Sequence, residues 1–247
     1  MRTVGVDLAA ESTKTAVAVI EWGGADAALT RLSVGVADAE IVDASRGADK
    51  VGIDCAFGWP DEFVAFVVAQ ADSAAATFDG GMEWRRTLAY RETDRFARHV
   101  TGRWPLSVST DRLGLTAMRC SGLLGRLRDA GHDVDRSGSG DVAEVYPGAS
   151  LRLWGFDTTG YRSDAETRTR LLAGVVAGAP WLHLGGHAEL MARSGDAFDA
   201  VVAALAARSA ALGRYTPPAP ELLDRARREG WIALPSGALA DLVASRA

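Results

Sequence analysis

The sequence predicts an α/β fold, a mixed sheet flanked by helices, and three observations predict it. Strand-like segments open the chain in succession, with turn signals between them. Strand-like and helical segments then alternate along the rest of the chain. The strands on either side of this switch are apolar at almost every position, as strands buried on both faces are. A meander followed by alternation gives a mixed sheet, an antiparallel three-strand meander plus parallel strands, with helices on it.

Each element follows from local composition. Residues 3–9 read as a short buried strand, with Val4, Val6 and Leu8 apolar. Residues 13–22 are rich in Val, Thr and Ile and read as a second strand. Gly23-Gly24 with Asp26 signals a turn, and residues 29–36 pair back as a third strand. Residues 38–46 suit a short helix. Residues 50–56 form another buried strand, ended by Gly58-Trp59-Pro60. Asp61 suits a helix start, and residues 62–76 are helical in composition. Residues 77–140 differ, being rich in Arg, Gly and Ser, with helical pieces near 92–100 and 112–130. Ser137-Gly138-Ser139-Gly140 closes them as a flexible loop. Strand resumes over 142–146 and stops at Pro147. Residues 151–154, 164–176 and 196–212 read as helical, 216–220 as a proline-rich loop, and 221–229 as a short helix. Residues 231–234 read as an edge strand and 237–246 as a last helix. The expected organisation is one domain over residues 1–247, with 77–140 as an arginine-rich helical insertion between two sheet strands.

Composition narrows the function classes. The chain has 247 residues, 48% hydrophobic and 24% charged, which excludes disorder as the main state. No apolar run approaches the ~18 residues of a membrane span, and the first residues enter a strand with no signal-peptide layout. Cys55 and Cys120 are too few for a disulfide framework or a four-cysteine zinc site. These features predict a cytoplasmic protein with no membrane partner. Lys14 and Lys50 are the two lysines, and arginine supplies the other 25 positive charges. Between Arg85 and Arg128, ten arginines face Glu92, Asp94 and Asp111, so this segment carries +7 within a net charge of −5. Such a basic stretch in an acidic chain reads either as a polyanion-binding face or as a solvated helix surface.

The chemistry-bearing signal is a set of carboxylates in apolar surroundings, where an unpartnered charge is costly. Asp7 lies in Val4-Gly5-Val6-Asp7-Leu8-Ala9, and Asp54 in Val51-Gly52-Ile53-Asp54-Cys55-Ala56. Glu144 lies in Val142-Ala143-Glu144-Val145-Tyr146-Pro147. Asp196 and Asp199 stand three apart at the start of an alanine-rich helix and share a face. Each has a plainer reading alone: a strand-end acceptor for Asp7 or Asp54, a helix cap for Asp196, a partner of an insertion arginine for Glu144. Together they fit one shared site. Neighbouring carboxylates resist joint ionisation unless a cation sits between them. Oxygen donors without His or Cys suit Mg2+ or Mn2+.

These residues carry a resemblance. Gly5-Val6-Asp7-Leu8-Ala9, Ile53-Asp54-Cys55-Ala56-Phe57-Gly58-Trp59-Pro60, Glu144-Val145-Tyr146-Pro147 and Asp196-Ala197-Phe198-Asp199-Ala200 resemble the motifs of the family catalogued as domain of unknown function 429. Arg91-Glu92-Thr93-Asp94-Arg95 and Glu229-Gly230-Trp231-Ile232 also look like that family, and the likeness runs from Thr3 to about Pro235. The family is regarded as predicted nucleases of the ribonuclease H-like fold. The resemblance therefore implies a ribonuclease H-like mixed sheet and a metal-dependent phosphodiester hydrolase acting on nucleic acid. Asp7 matches the first-strand Asp of such enzymes, Asp54 the acid on the strand after the first helix, and Asp199, with Asp196, the late-helix acid. Glu144 matches the family's own motif. Cys55 stands where a small Ala or Ser is expected, a change that tightens the site rather than removing it. The implied site holds two Mg2+ or Mn2+ ions on Asp7, Asp54, Glu144 and Asp199, with Asp7 bridging both. Resolvase-like enzymes of this fold are often homodimers, and no interface is readable in the sequence.

Within the insertion, Arg91, Arg95 and Arg98 fall at i, i+4 and i+7, one helical stripe for substrate phosphates, with Asp94 placed to pair with Arg98. Trp84 and Trp104 are candidates for stacking on bases, although tryptophan more often fills a core. No phosphate-binding loop of the P-loop type and no serine-hydrolase elbow occurs. His183 and His187 are separated by Gly185-Gly186, which makes a zinc-binding helix a poor expectation, and His99 and His132 have no acidic or cysteine partner nearby in sequence. Two other readings share the fold. An actin-like or sugar-kinase-like enzyme would use the Thr-rich stretch from Asp7 to Thr15 to cradle nucleotide phosphates. A nucleic-acid-binding scaffold would keep the fold without catalysis.

Overall fold

The computed structural model describes residues 1–71 and 79–243. The sheet has six strands in the order β5-β4-β1-β2-β3-β6. Strands β1 (Arg2–Asp7), β2 (Ala16–Trp22) and β3 (Ala27–Val34) form the antiparallel meander. Strands β4 (Lys50–Asp54) and β5 (Val142–Glu144) add in parallel beside β1, and the two-residue β6 (Leu182–His183) pairs in parallel with β3. Residue 232 bridges in parallel to Glu144, so the segment predicted as an edge strand lies against β5 as a single bridge.

Alternation along β1 sorts its side chains onto two faces. Val4 and Val6, with Val17, Val19, Val51 and Ile53, face a core closed by α1 (Asp38–Ser45) and α5 (Gly114–Asp129), which contribute Ile41, Leu123, Leu124 and Leu127. The other face packs on α9 (Gly195–Ala211), whose buried residues include Phe198, Val201 and Leu205. Helices α6 (Pro147–Leu153), α7 (Ala165–Gly178) and α8 (Ala188–Arg193) complete that layer through Leu151, Leu171, Leu172 and Met191.

The seat of α9 is set by two glycines. Gly5 and Gly52 are register partners on β1 and β4 and face the helix. A Cβ on Gly5 would lie 2.0 Å from the Ala200 carbonyl oxygen and 2.2 Å from the Ala204 nitrogen. A Cβ on Gly52 would lie 2.7 Å from the Ala203 oxygen. Backbone therefore meets backbone where a side chain would ordinarily hold helix and sheet apart.

Along the chain, α2 (Asp61–Ala71), α3 (Gly81–Ala89), α4 (Glu92–Thr101) and α5 lie between β4 and β5. The helix expected over 62–76 is observed to Ala71, and its last five positions lie outside the described residues. Expected boundaries shift where side chains intervene. The second strand begins at Ala16 because the Thr15 hydroxyl donates to the Glu11 carbonyl (3.1 Å) and accepts from the Ala9 amide (3.2 Å), folding Ser12–Lys14 into a 3-10 turn. The last helix reduces to a 3-10 turn at Leu239–Leu242, and residues 244–246 of the expected span lie outside the described ones. The region of His183 and His187 is strand and 3-10 turn. Short α10 (Leu223–Glu229) sits close to the expected span. Among the described residues, no helix is long and apolar enough to cross a membrane.

The glycine seat makes a direct prediction. Gly5→Ala forces α9 off the sheet and should cost about 3 kcal/mol or more, since the clash is with backbone that no rotamer can relieve. Denaturant unfolding measures it, and a loss under about 1 kcal/mol would show that the helix has room to yield.

Candidate metal centre

Two parallel strands and one helix bring three carboxylates together. Asp7 and Asp54 are the last residues of β1 and β4 and are register partners. Each stands two residues after its glycine, so each points to the α9 face. Asp199 lies one position before Ala200, whose carbonyl oxygen closely approaches Gly5. Its carboxylate therefore reaches the strand ends. One oxygen from each of Asp7, Asp54 and Asp199 lies within 4.8 Å of the other two. This all-oxygen triad could hold a metal ion.

A cation already touches all three acids. Arg162, in the loop between α6 and α7, places Nη2 2.5 Å from Asp199 Oδ2, 3.1 Å from Asp54 Oδ2 and 3.8 Å from Asp7 Oδ1. Its Nε donates to the same Asp199 oxygen at 2.6 Å. The Tyr161 hydroxyl donates to the other oxygen, Oδ1, at 2.8 Å. Asp199 is thus held by one partner on each oxygen.

One guanidinium does not balance three carboxylates. Burial, then the charges of Asp54 and Asp199, hold the Asp7 carboxyl well above its ordinary range. Burial pushes Asp54 up to about 7, against the pull of Arg162. Asp199 is raised by burial as well, with Arg162 and Tyr161 opposing. For Arg162 itself, burial disfavours the charge but the carboxylates outweigh it and raise its pKa. A divalent cation would relieve the repulsion that raises these acids.

Two clefts flank the centre. One, of about 470 Å³, is lined by Asp7, Lys14, Arg112, Arg162 and Asp196 among others. The second, of about 170 Å³, runs from Asp7 and Asp54 past Leu106, Tyr146 and Ile232. Asp196 is half-buried in the first turn of α9 and raises Asp7 and Asp199 through its charge, but it stands outside the triad. It is also not the helix cap, because Ser194 takes that place and accepts from the Ala197 amide at 3.1 Å.

The structure corrects the expectation for Glu144. Glu144 pairs in register with Ile53, not Asp54, so it points to the opposite face of the sheet. There it accepts two hydrogen bonds from Arg91 (2.8 and 2.7 Å) and one from the Phe57 amide (3.0 Å). Burial raises its pKa, and Arg91 opposes the rise. Glu144 therefore stands outside the triad and pairs with an insertion arginine, and both side chains line the smaller cleft beside Asp7 and Asp54.

Arg91 is corrected with it. Its side chain is 3% exposed and also binds Asp94, which is fully buried. Asp94 closes the start of α4 onto the Arg91 amide, so it is not paired with Arg98. Arg95 leans on Glu92 and the Tyr90 carbonyl, and Arg98 is exposed. The helical spacing is real, but it carries one residue into the interior and only Arg98 fully into solvent. Glu229 completes this tie by accepting from the Asp61 and Glu92 amides at the starts of α2 and α4. Trp104 stacks on Tyr90 with centroids 4.1 Å apart, and Trp84 packs edge-on against Phe66. Cys55 and Cys120 are free and buried.

Sequence reasoning missed Arg162, Tyr161, Lys14 and Arg112. Gly160-Tyr161-Arg162-Ser163 has no periodicity and no motif, and only the folded chain brings it to the acids.

The profile of the family described as Protein of unknown function (DUF429) matches residues 5–222, and the chain belongs to that family. The match includes Asp7, Asp54, Arg162 and Asp199 and stops short of Glu229. No curated protein and no solved structure matches the chain.

Two predictions follow from these charges. The triad carboxyls bind protons more tightly in the folded chain than in the unfolded one. The stability this contributes is full below the ordinary value of 3.8 and is lost as pH rises through the folded value, about 7 for Asp54. The melting temperature of metal-free protein should fall between about pH 5 and about pH 8, and Asp54→Asn should flatten that fall. A rise instead would contradict the raised acids. Separately, Arg91→Ala strands Glu144 and Asp94 in the interior and should cost about 3–5 kcal/mol, whereas Arg98→Ala should stay within about 0.5 kcal/mol. Equal losses in chemical denaturation would show that Arg91 is not a structural tie.

Proposed function

We propose that this family member is a metal-dependent nuclease of ribonuclease H-like fold, hydrolysing phosphodiester bonds of nucleic acid at the Asp7–Asp54–Asp199 centre. The observation that carries the reading is the convergence of three carboxylates, from two adjacent parallel strand ends and one late helix, at the mouth of a cationic cleft. The meander on one side of β1 and the parallel strands on the other support the fold assignment.

The donor set suits Mg2+ or Mn2+, hard cations that take carboxylate oxygens. We expect two ions, which Asp7, Asp54 and Asp199 would hold with Asp196 beside them on the cleft lining. Bound there, they would lower the pKa of a water and stabilise the leaving oxygen. The chain's own residues do the rest. Tyr161 fixes the Asp199 carboxylate through Oδ1 and leaves Oδ2 toward the centre. Lys14 and Arg112 face a phosphate from the cleft wall. Leu106, Tyr146 and Ile232 offer an apolar recess on the other side, suited to a sugar or base. Phosphate contacts of this kind are sensitive to salt and indifferent to base sequence.

The kinase-like alternative draws less support. It needs the Thr-rich turn free for nucleotide phosphates, but the Thr15 hydroxyl is bound by Arg119 (2.6 Å), the Ala9 amide and the Glu11 carbonyl.

The test is cleavage of labelled single- and double-stranded RNA and DNA, a hybrid and a four-way junction, with Mg2+ or Mn2+. Wild type should cut at least one member. Asp7→Asn and Asp54→Asn should each lose several kcal/mol of transition-state stabilisation, a rate drop of roughly a hundredfold or more. No cleavage of any member by folded, metal-loaded protein overturns the nuclease reading in favour of a small-molecule phosphate enzyme or a scaffold.

A further inference from the structure

Three features of Arg162 belong together. First, one nitrogen, Nη2, lies within 3.8 Å of an oxygen from each triad carboxylate. That is the point a bound cation would share. Second, the backbone there is clamped by Arg168, while the side chain is held through the triad carboxylates. Arg168, itself buried, donates to the carbonyls of Tyr161 (2.8 Å), Arg162 (3.3 Å), Ala192 (2.9 Å) and Arg193 (2.8 Å). The Arg162 side chain is 56% exposed. Third, Arg162 lines the cleft that also holds Lys14 and Arg112, neither of which has an ion pair or side-chain hydrogen bond among the described residues.

We propose that Arg162 is an exchangeable counter-ion of the metal centre. With no metal bound, its guanidinium neutralises the triad from the metal's own position. A metal ion displaces it, because the guanidinium nitrogen occupies the point from which a metal would meet all three carboxylates. The clamped backbone confines the change to a rotation of the side chain. The rotation carries the guanidinium into the cleft beside Lys14 and Arg112, where three cations face a phosphate group. Metal and substrate phosphate then each favour the outward arginine, and each strengthens binding of the other. The Glu144–Arg91 pair is the internal contrast, since both of its partners are 3% exposed and Arg91 is also tied to Asp94 and the Glu229 carbonyl. The proposal rests on the metal-binding part of the function above and not on nuclease activity.

Calorimetric titration of metal-free protein with Mn2+ tests it. Arg162→Gln removes the competitor and should bind Mn2+ about tenfold more tightly than wild type. The same variant should melt at lower temperature than wild type without metal and lose that deficit when Mn2+ saturates it. Arg162→Lys keeps the charge but cannot span three carboxylates, and should fall between the two. Sodium sulfate, compared with chloride at equal ionic strength, should tighten Mn2+ binding to wild type about threefold and leave Arg162→Gln unchanged. Equal Mn2+ affinity in wild type and Arg162→Gln overturns the counter-ion role alone. An equal sulfate effect in both, or none in either, overturns the phosphate-facing position. Absence of Mn2+ binding in every protein overturns the metal centre itself.

Discussion

The close approach of α9 to the sheet is the constraint on which the rest of the site depends. It exists because Gly5 and Gly52 sit side by side on parallel strands and present no Cβ to the helix. The helix answers with small residues, Ala200, Ala203, Ala204 and Ala207. Two residues further along each strand the same face carries Asp7 and Asp54. A helix seated a side chain's thickness away would hold Asp199 out of their reach. The paired motifs Val4-Gly5-Val6-Asp7 and Val51-Gly52-Ile53-Asp54 therefore encode both the seat and the chemistry, through nothing more than the two-residue period of a strand.

Bringing three acids to one point has an electrostatic cost, and the chain meets such costs in two different ways. Glu144 and Asp94 are matched to Arg91 in the interior, with a backbone amide from Phe57 completing the set. That arrangement is closed, and it joins the start of α4 to the sheet edge. The triad is matched to Arg162, a half-exposed side chain on an anchored loop, and remains under-neutralised. The first arrangement is what a structural tie requires. The second leaves the acids poised for a stronger cation.

Much of this was legible in the sequence, and what was not has identifiable physical causes. The meander, the parallel strands and the carboxylates at strand ends follow from apolar periodicity interrupted by an acid. Membership of the family follows from motif order, and the family profile bears it out over residues 5–222. Glu144 looked like a fourth member because its apolar context matches those of Asp7 and Asp54. Its fate turned on register, a one-residue offset between β4 and β5 that sequence does not display. The arginine stripe failed for a related reason. Helical spacing tells which residues share a face, but not whether that face meets water, and Arg91 belongs to the cap of α4 rather than to its surface.

What the sequence by itself determined is the set of local conformations and the identity of the acids. Strand period, helix composition and glycine placement are written in neighbouring residues, and local sterics act over that range. What only the tertiary structure decided is which charges meet. Asp7 and Arg162 are brought together by the end of a central strand, a helix seat and a loop held by Arg168, an arrangement that is not a local property. A carboxylate's function depends on the charges within a few ångströms of it, because Coulomb attraction and desolvation act through space. Chain order does not carry that distance, and the fold supplies it.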